Sequence, residues 1–311
     1  MKAHLFPTRM ALVLSLTWSV ACAEPPSAPS EYEDLLAYVF EHAGDEEDEA
    51  LAAGLENLHA WLQDSSRLES VLEGYVIDEL PQSAVAGLDA QERSASGARG
   101  MTVVTLSPHS TTDLAKTLTW ERFDEIVSAN FTKYIRTFEE GTDLTCFQAT
   151  ECSWVQAQSD TESKWVGIVE METGYTIQFR WVATSAGWML VHRFWLRDPA
   201  HGEFGEISVD MTNNYYIGVT MGESGREGVR ATESNRGVAG GFVGGGEERL
   251  KYLEDLLTSP GSLRVHANWF QVDVTGLDDS VMLNGLIDST QKDANHLDTW
   301  ITENGASELG L

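Results

Sequence analysis

Early in the chain, apolar positions recur at the three- and four-residue spacing of amphipathic helices. Leu35, Leu36, Val39 and Phe40 share one face, and Leu51, Leu55, Leu58 and Leu62 share another. Ser30 with Glu33 has the spacing of a capping box before the first helix, and Gly44 ends it. The second helix is expected from Glu46 to Gln63. Its start carries Asp45-Glu46-Glu47-Asp48-Glu49, where the helix dipole favours negative charge. That acidic run lacks the alternating ligands and glycine turn of a calcium loop. Together these patterns predict an acidic helical segment over 31–86. The polar stretch from Gly87 to Gly100 reads as a linker, and Met101 to Leu106 as a strand. Thr112 to about Phe138 reads as mostly helical, with a stripe of Phe123, Ile126, Val127, Tyr134, Ile135 and Phe138.

Beyond Trp154 the period changes to two. Strands are expected at Trp165–Met171, Tyr175–Thr184, Trp188–Leu196, Gly205–Met211 and Tyr215–Met221. Turns are expected at Thr173-Gly174, Ala186-Gly187 and Asn213-Asn214. In the third of these strands Trp188, Leu190, His192, Phe194 and Leu196 oppose Met189, Val191, Arg193, Trp195 and Arg197. Apolar weight on both faces predicts a central strand covered on both sides, and the short spacing predicts an antiparallel meander. Gly222 to Gly246 holds nine glycines and reads as a long loop. A helix over Glu247–Leu257 follows, then a strand through Leu263, Val265, Ala267 and Trp269. A long helix over about Asp279–Asn304 is expected to cap the sheet with Leu286, Ile287, Leu297, Trp300 and Ile301. The fold class is therefore α+β: an antiparallel β-meander sheet packed by helices within 101–311, preceded by an N-terminal helical segment.

The N-terminus has the form of an export signal. Lys2 and Arg9 precede an apolar stretch from Met10 to Val20, too short to span a bilayer, and small residues follow at Ala21-Cys22-Ala23. A signal peptide over 1–21 and a Pro- and Ser-rich tether over 22–30 are the expected divisions. Two processing routes fit. Ser19-Val20-Ala21-Cys22 is similar to a bacterial lipobox, making Cys22 the lipidated first residue, although Ser19 stands where that pattern prefers Leu. Alternatively Ala21-Cys22-Ala23 is an A-x-A signal and the mature chain starts near Glu24. The remaining cysteines, Cys146 and Cys152, are spaced for a short loop closed by a disulfide in an oxidising compartment.

Charge narrows the partners. The 20 Lys and Arg face 49 Asp and Glu, a net charge of −29. Such a surface repels nucleic acid and anionic lipid headgroups, and neither is expected as a ligand.

Candidate chemistry is sparse. Gly222-Glu223-Ser224-Gly225 is similar to the surroundings of a chymotrypsin-like serine, but no segment supplies the matching histidine motif, and a turn is the preferred reading. The glycine tract 237–246 lacks the lysine of a P-loop, because Glu247 stands in its place. The eight histidines do not cluster. The densest gathering of ligand types is His192 and His201 with Asp198, Glu203 and Glu206, in a pattern common at strand ends. No cofactor, metal or catalytic set is expected. Trp181, Trp188, His192, Trp195 and Trp269 are the candidates for lining an apolar ligand pocket, against the alternative that they fill a core.

Phe138-Glu139-Glu140-Gly141, the Cys146/Cys152 pair, Arg180-Trp181-Val182, and Gly261-Ser262-Leu263-Arg264 with Trp269 resemble an uncharacterised group of Gram-negative envelope lipoproteins. Gly187-Trp188 through Val191-His192-Arg193 also resembles a hairpin of NTF2-like cone folds. The first resemblance implies location in the cell envelope, facing the periplasm or in the outer membrane, and no activity. The expected function is a non-enzymatic binding or interaction module held at the membrane by a lipid, with an envelope protein or small ligand as partner. The alternatives are a secreted hydrolase using dispersed carboxylates and a carrier of an apolar small ligand.

Overall fold

A computed structural model describes residues 27–64, 67, 71–88, 93–126, 131–165, 167–226 and 261–311. The expected signal peptide, Cys22, the first part of the tether, the helix over Glu247–Leu257 and the glycine tract 237–246 lie outside the described residues. Among the described residues, two helices come first, α1 (Tyr32–His42) and α2 (Glu49–Leu62). Nine strands then build one antiparallel sheet: β1 (Tyr75–Ile77), β2 (Arg99–Ser107), β3 (Phe131–Phe138), β4 (Trp154–Trp165), β5 (Val169–Thr184), β6 (Gly187–Leu196), β7 (Ala200–Phe204), β8 (Ile207–Met221) and β9 (Ser262–Val274). The strands lie in the order β1-β2-β9-β8-β6-β5-β4-β3, with β7 also paired to β8. Short helices α3 (Thr111–Leu118) and α4 (Leu144–Gln148) precede β3 and β4, and the long α5 (Asp279–Glu308) closes the chain. The mixed α+β architecture with a large antiparallel meander is the one the periodicity predicts. Among the described residues, no helix is long and apolar enough to cross a membrane.

The sheet has two covered faces, and strand alternation assigns them. In β6, Met189, Val191 and Trp195 join the core formed with α1 and α2. Leu190 and Phe194 point the other way, into the layer under α4 that contains Phe147, Phe179 and Trp181. The N-terminal helices therefore share a core with the sheet: Leu35, Leu36, Phe40, Leu51, Leu55 and Leu58 are fully buried with Val265, Ala267 and Trp269 of β9. Phe40 contacts the rings of Tyr215 and Trp269 at 5.9 and 6.0 Å between centroids. On the opposite face α5 packs Leu283 and Ile287 against Phe270 and Val272, and Leu297 and Ile301 against Leu114 and Ile126.

Several local expectations change. Glu31, not Ser30, is the N-cap of α1, and no side chain caps it. A capping box forms instead at α3, where Ser110 and Asp113 exchange hydrogen bonds with each other's backbone amides. The helix expected to run to Phe138 stops at Leu118; Phe131–Phe138 is a strand in which Tyr134, Arg136 and Phe138 are partly buried and Lys133, Ile135 and Thr137 are exposed. Thr173-Gly174 is no turn. It lies inside β5, paired to Asp160 and Thr161, and a Cβ on Gly174 would stand 2.6 Å from the Arg197 guanidinium. The β4–β5 turn instead uses Gly167, at φ +77. Asn213-Asn214 is likewise no turn: β8 runs through it, with a register shift between Met211 and Asn213 opposite β9.

Candidate functional site

A cavity of about 360 Å³ lies between the α5-facing side of the sheet and α5 itself. Pairing register builds its floor in rows. Ile177, Phe194, Tyr216 and Asn268 are successive partners across β5, β6, β8 and β9, and Phe179, His192, Gly218 and His266 form the next row. Tyr134 and Arg136 close one side from β3, opposite Thr161 and Ser159 of β4. The roof is one face of α5: Leu286, Ser289, Thr290, Asp293, Ala294 and Leu297, at three- and four-residue spacing. Phe123 and Ile126, from the segment after α3, and Phe131 complete the wall.

The floor is an aromatic pavement with polar groups set in it. His192 stacks on Phe179 at 4.5 Å and 15°, and Phe194 stacks on Tyr216 at 4.6 Å and 10°. Tyr216 Oη lies 2.7 Å from His266 Nδ1, whose Nε2 lies 3.1 Å from Thr105 Oγ1. Gly218 makes this possible, because a Cβ there would stand 2.6 Å from the Tyr216 hydroxyl. Burial holds both imidazoles neutral: His192 falls to about 3, with the Arg136 charge adding to the effect, and His266 falls to about 3, with Arg264 adding to it. Burial likewise pushes the Tyr134 and Tyr216 phenols up, so both stay protonated.

Two arginines enter this layer and are compensated differently. Arg264 Nη2 donates to Asp298 Oδ2 at 2.9 Å and to the Ala294 carbonyl at 3.2 Å, and Ser107 donates to the other Asp298 oxygen at 2.7 Å. Burial raises the Asp298 carboxyl, opposed by Arg264. Arg136 has no such acid. Its Nη1 donates to the carbonyls of Leu118 and Trp120, and its guanidinium lies 5.0, 5.5 and 6.0 Å from the Phe123, Tyr134 and Phe179 rings. Burial lowers the Arg136 guanidinium from its ordinary value. Buried polar atoms without a hydrogen-bond partner gather here: Tyr134 Oη, Arg136 Nε, His192 Nε2, Arg264 Nε and Asn268 Oδ1, all on residues lining the cavity. Unsatisfied groups at this density are rare in a closed core.

Of the residues singled out from the sequence, the structure brings only His192 to this cavity. Trp181 is buried beside it, its indole donating to the Phe147 carbonyl at 2.9 Å, and fills the layer under α4. Trp195 and Trp269 point from the opposite sheet face into the core of α1 and α2, and Trp188 is 53% exposed. Strand alternation separates them, because odd positions of β6 and β9 face away from α5. Cys146 and Cys152 form a disulfide with Cα atoms 5.2 Å apart, fixing the turn that carries Phe147. His201 is exposed and meets Asp210 and Glu203 at 2.7 and 3.1 Å, well removed in environment from the buried His192. Among the described residues, no three His, Cys, Asp or Glu are gathered to hold a metal ion. Among the described residues, Asp293 is the single carboxylate lining the cavity.

Tyr134, Arg136, Tyr216, Arg264, His266 and Asn268 escape the sequence reading. The signal available was the even-numbered alternation Arg264-His266-Asn268 along β9, opposite Leu263, Val265, Ala267 and Trp269. Polar residues alternating with apolar ones read as a solvent face; here that face turns into a cavity.

No protein-family model matches the chain, and no curated protein matches it. Among solved structures it is similar to the human StarD13 (DLC2) lipid transfer and protein localization domain, with a TM-score of 0.32 and 9% identity, over 66% of this chain and 78% of that one. At that TM-score nothing about ligand or activity is transferred.

Proposed function

We propose that this protein is a non-enzymatic binding protein that carries a small, largely apolar ligand in the cavity between the sheet and α5. The observation behind this reading is the cavity itself: about 360 Å³, walled mainly by aromatic and aliphatic side chains, with buried polar atoms left unpartnered around it. Its volume falls within the roughly 300–1,000 Å³ of small-molecule sites, and a few convergent polar groups in an apolar wall are their usual lining. The polar groups supply orientation, and burial of the ligand's apolar surface supplies affinity at about 25 cal/mol per Å² before ordering costs. Placement in the envelope belongs to the same proposal. It is supported by the signal-like N-terminus, the lipobox-like Ser19-Val20-Ala21-Cys22 and the pairing of Cys146 with Cys152.

The test is titration of the purified protein with N-phenyl-1-naphthylamine, a neutral apolar dye that fluoresces when sheltered from water. Saturable binding near one dye per chain is expected. Ile177→Trp, which adds a ring to the cavity floor, is expected to weaken it by about tenfold or more while lowering the melting temperature by no more than about 4 °C. Absence of saturable binding to the unaltered protein would reject the carrier reading.

A further inference from the structure

The two arginines of the cavity layer differ in one respect that bears on ligand chemistry. Arg264 has its own carboxylate, Asp298, at 2.9 Å. Arg136 has none within ion-pair distance among the described residues: two backbone carbonyls, three aromatic rings and the Tyr134 hydroxyl face its charge, and Asp124 acts on it only at longer range. A cation shielded from water is costly unless an opposite charge or several acceptors meet it. Carbonyls on Nη1 meet one end of the fork; Nε has no partner, and the Nε–Nη2 edge meets no carboxylate or carbonyl. That edge is the one on which a planar carboxylate pairs with both nitrogens. His192 Nε2 is unpartnered on a lining residue beside it, the Tyr134 hydroxyl faces no group but Arg136 itself, and Arg136 lies near enough to both to perturb their ionisation. Asp293, the acid on the roof, has an interaction of its own.

Resting on the carrier reading, we propose that the ligand is a single-chain fatty carboxylate whose head group is received by Arg136 with Tyr134 and His192. Its chain lies along Ile126, Phe131, Leu286 and Leu297, the aliphatic and aromatic wall of the same cavity. The volume, near the small end for ligand sites, suits one chain and not two. The net charge of −29 opposes the approach of an anion, but at physiological salt that field is screened within about 8 Å, and the charge inside the cavity is set by Arg136.

The experiment is displacement of bound N-phenyl-1-naphthylamine from the full chain by dodecanoate, dodecyl phosphate and dodecanol, three ligands with one chain length and different heads. Dodecanoate is expected to bind at least about tenfold more tightly than dodecanol, the discrimination typical of one charge-assisted hydrogen-bonded pair. Arg136→Met keeps an apolar stem and is expected to erase this preference, the ratio of dodecanoate to dodecanol affinity falling to about one; Arg136→Lys is expected to restore part of it. Because Arg136 also ties down Leu118 and Trp120, Tyr134→Phe is the companion variant. It removes one hydroxyl and no loop contact, and is expected to reduce the preference several-fold. Equal affinity of dodecanoate and dodecanol in the unaltered protein overturns the inference and leaves the carrier reading in place. Tighter binding of dodecyl phosphate than of dodecanoate overturns the choice of a carboxylate. If neither the dye nor any of the three ligands binds, both readings fall together.

Discussion

The two faces of one sheet have been finished in opposite ways. Toward α1 and α2, the buried arginines are fully used. Arg193 Nη1 donates to the Phe40 carbonyl at 2.7 Å, and Arg180 donates to the carbonyls of Ala43 and Asp45 and pairs with Asp48 at 2.5 Å. Both cations thus meet the C-terminal end of α1, where the helix dipole and orphan carbonyls favour positive charge. Gly44 leaves room there, since a Cβ would meet the Arg193 guanidinium. Toward α5, Arg136, His192, Asn268 and Tyr134 carry unpartnered atoms around a void. The same strands supply both faces, so local propensity does not explain the difference. One face is built for stability; the other keeps space and polar capacity for something else.

The contrast is sharpest at Arg264–Asp298, the buried ion pair between α5 and the sheet. Asp298→Ala leaves Arg264 buried without its acid and is expected to cost about 3–5 kcal/mol, read by denaturant unfolding. Arg264→Met with Asp298→Leu is expected to recover most of that loss, because the cost lies in the orphaned charge.

Acid is the next lever, and it acts on the cavity face. His192 and His266 sit near 3 in the folded protein, against about 6.5 in the unfolded chain. The unfolded chain therefore binds more protons between these values. The stabilisation is complete above about pH 6.5 and is lost as the pH falls toward 3, on the order of a few kcal/mol. His192→Phe is expected to flatten the fall in unfolding free energy between pH 6.5 and 4; an unchanged slope would show that this imidazole is not held neutral.

Reduction of Cys146–Cys152 is expected to cost about 2 kcal/mol by the chain-entropy relation for so short a loop. The effect should appear on the α5-facing layer, where Phe147 packs on Trp181, and can be followed as loss of amide-exchange protection there with none around α1.

A matched pair of substitutions separates the faces most cleanly. Val191→Trp and Ile177→Trp place a similar excess of volume on opposite sides of the sheet. In the closed core under α1, Val191→Trp is expected to cost about 1–3 kcal/mol or more, while Ile177→Trp, projecting into the cavity, is expected to cost under about 1 kcal/mol. Equal penalties in thermal unfolding would mean that the two faces are equally filled.

Much of this division was legible in the chain. The alternation of His192 and Phe194 against Val191 and Trp195 identified β6 as a strand covered on both sides, and the stripe of α5 placed a helix to cap the sheet; the stripes of α1 and α2 marked helices but not that they share the sheet's core. Which face would be hollow was not legible, because period-two alternation is the same whether the far side meets solvent, a core or a void. Large aromatics such as Trp195 and Trp269 drew the eye and proved to be core, because a packed face needs volume. Arg136 was hidden for a different reason. Phe123, Ile126, Tyr134, Ile135 and Phe138 mimic a helical stripe, and only pairing of Arg136 to Ser159 on β4 reveals a strand. Gly174 and Asn213-Asn214 misled in the same way: turn residues locally, they are held extended by partners distant in sequence.

The most direct measurement is a crystal structure of the protein soaked with dodecanoate. Electron density for a single chain is expected under α5, over Ile177 and Phe194, with the carboxylate against Arg136. An unfilled cavity alongside ligand bound elsewhere, or a cavity closed by inward collapse of α5, would contradict it.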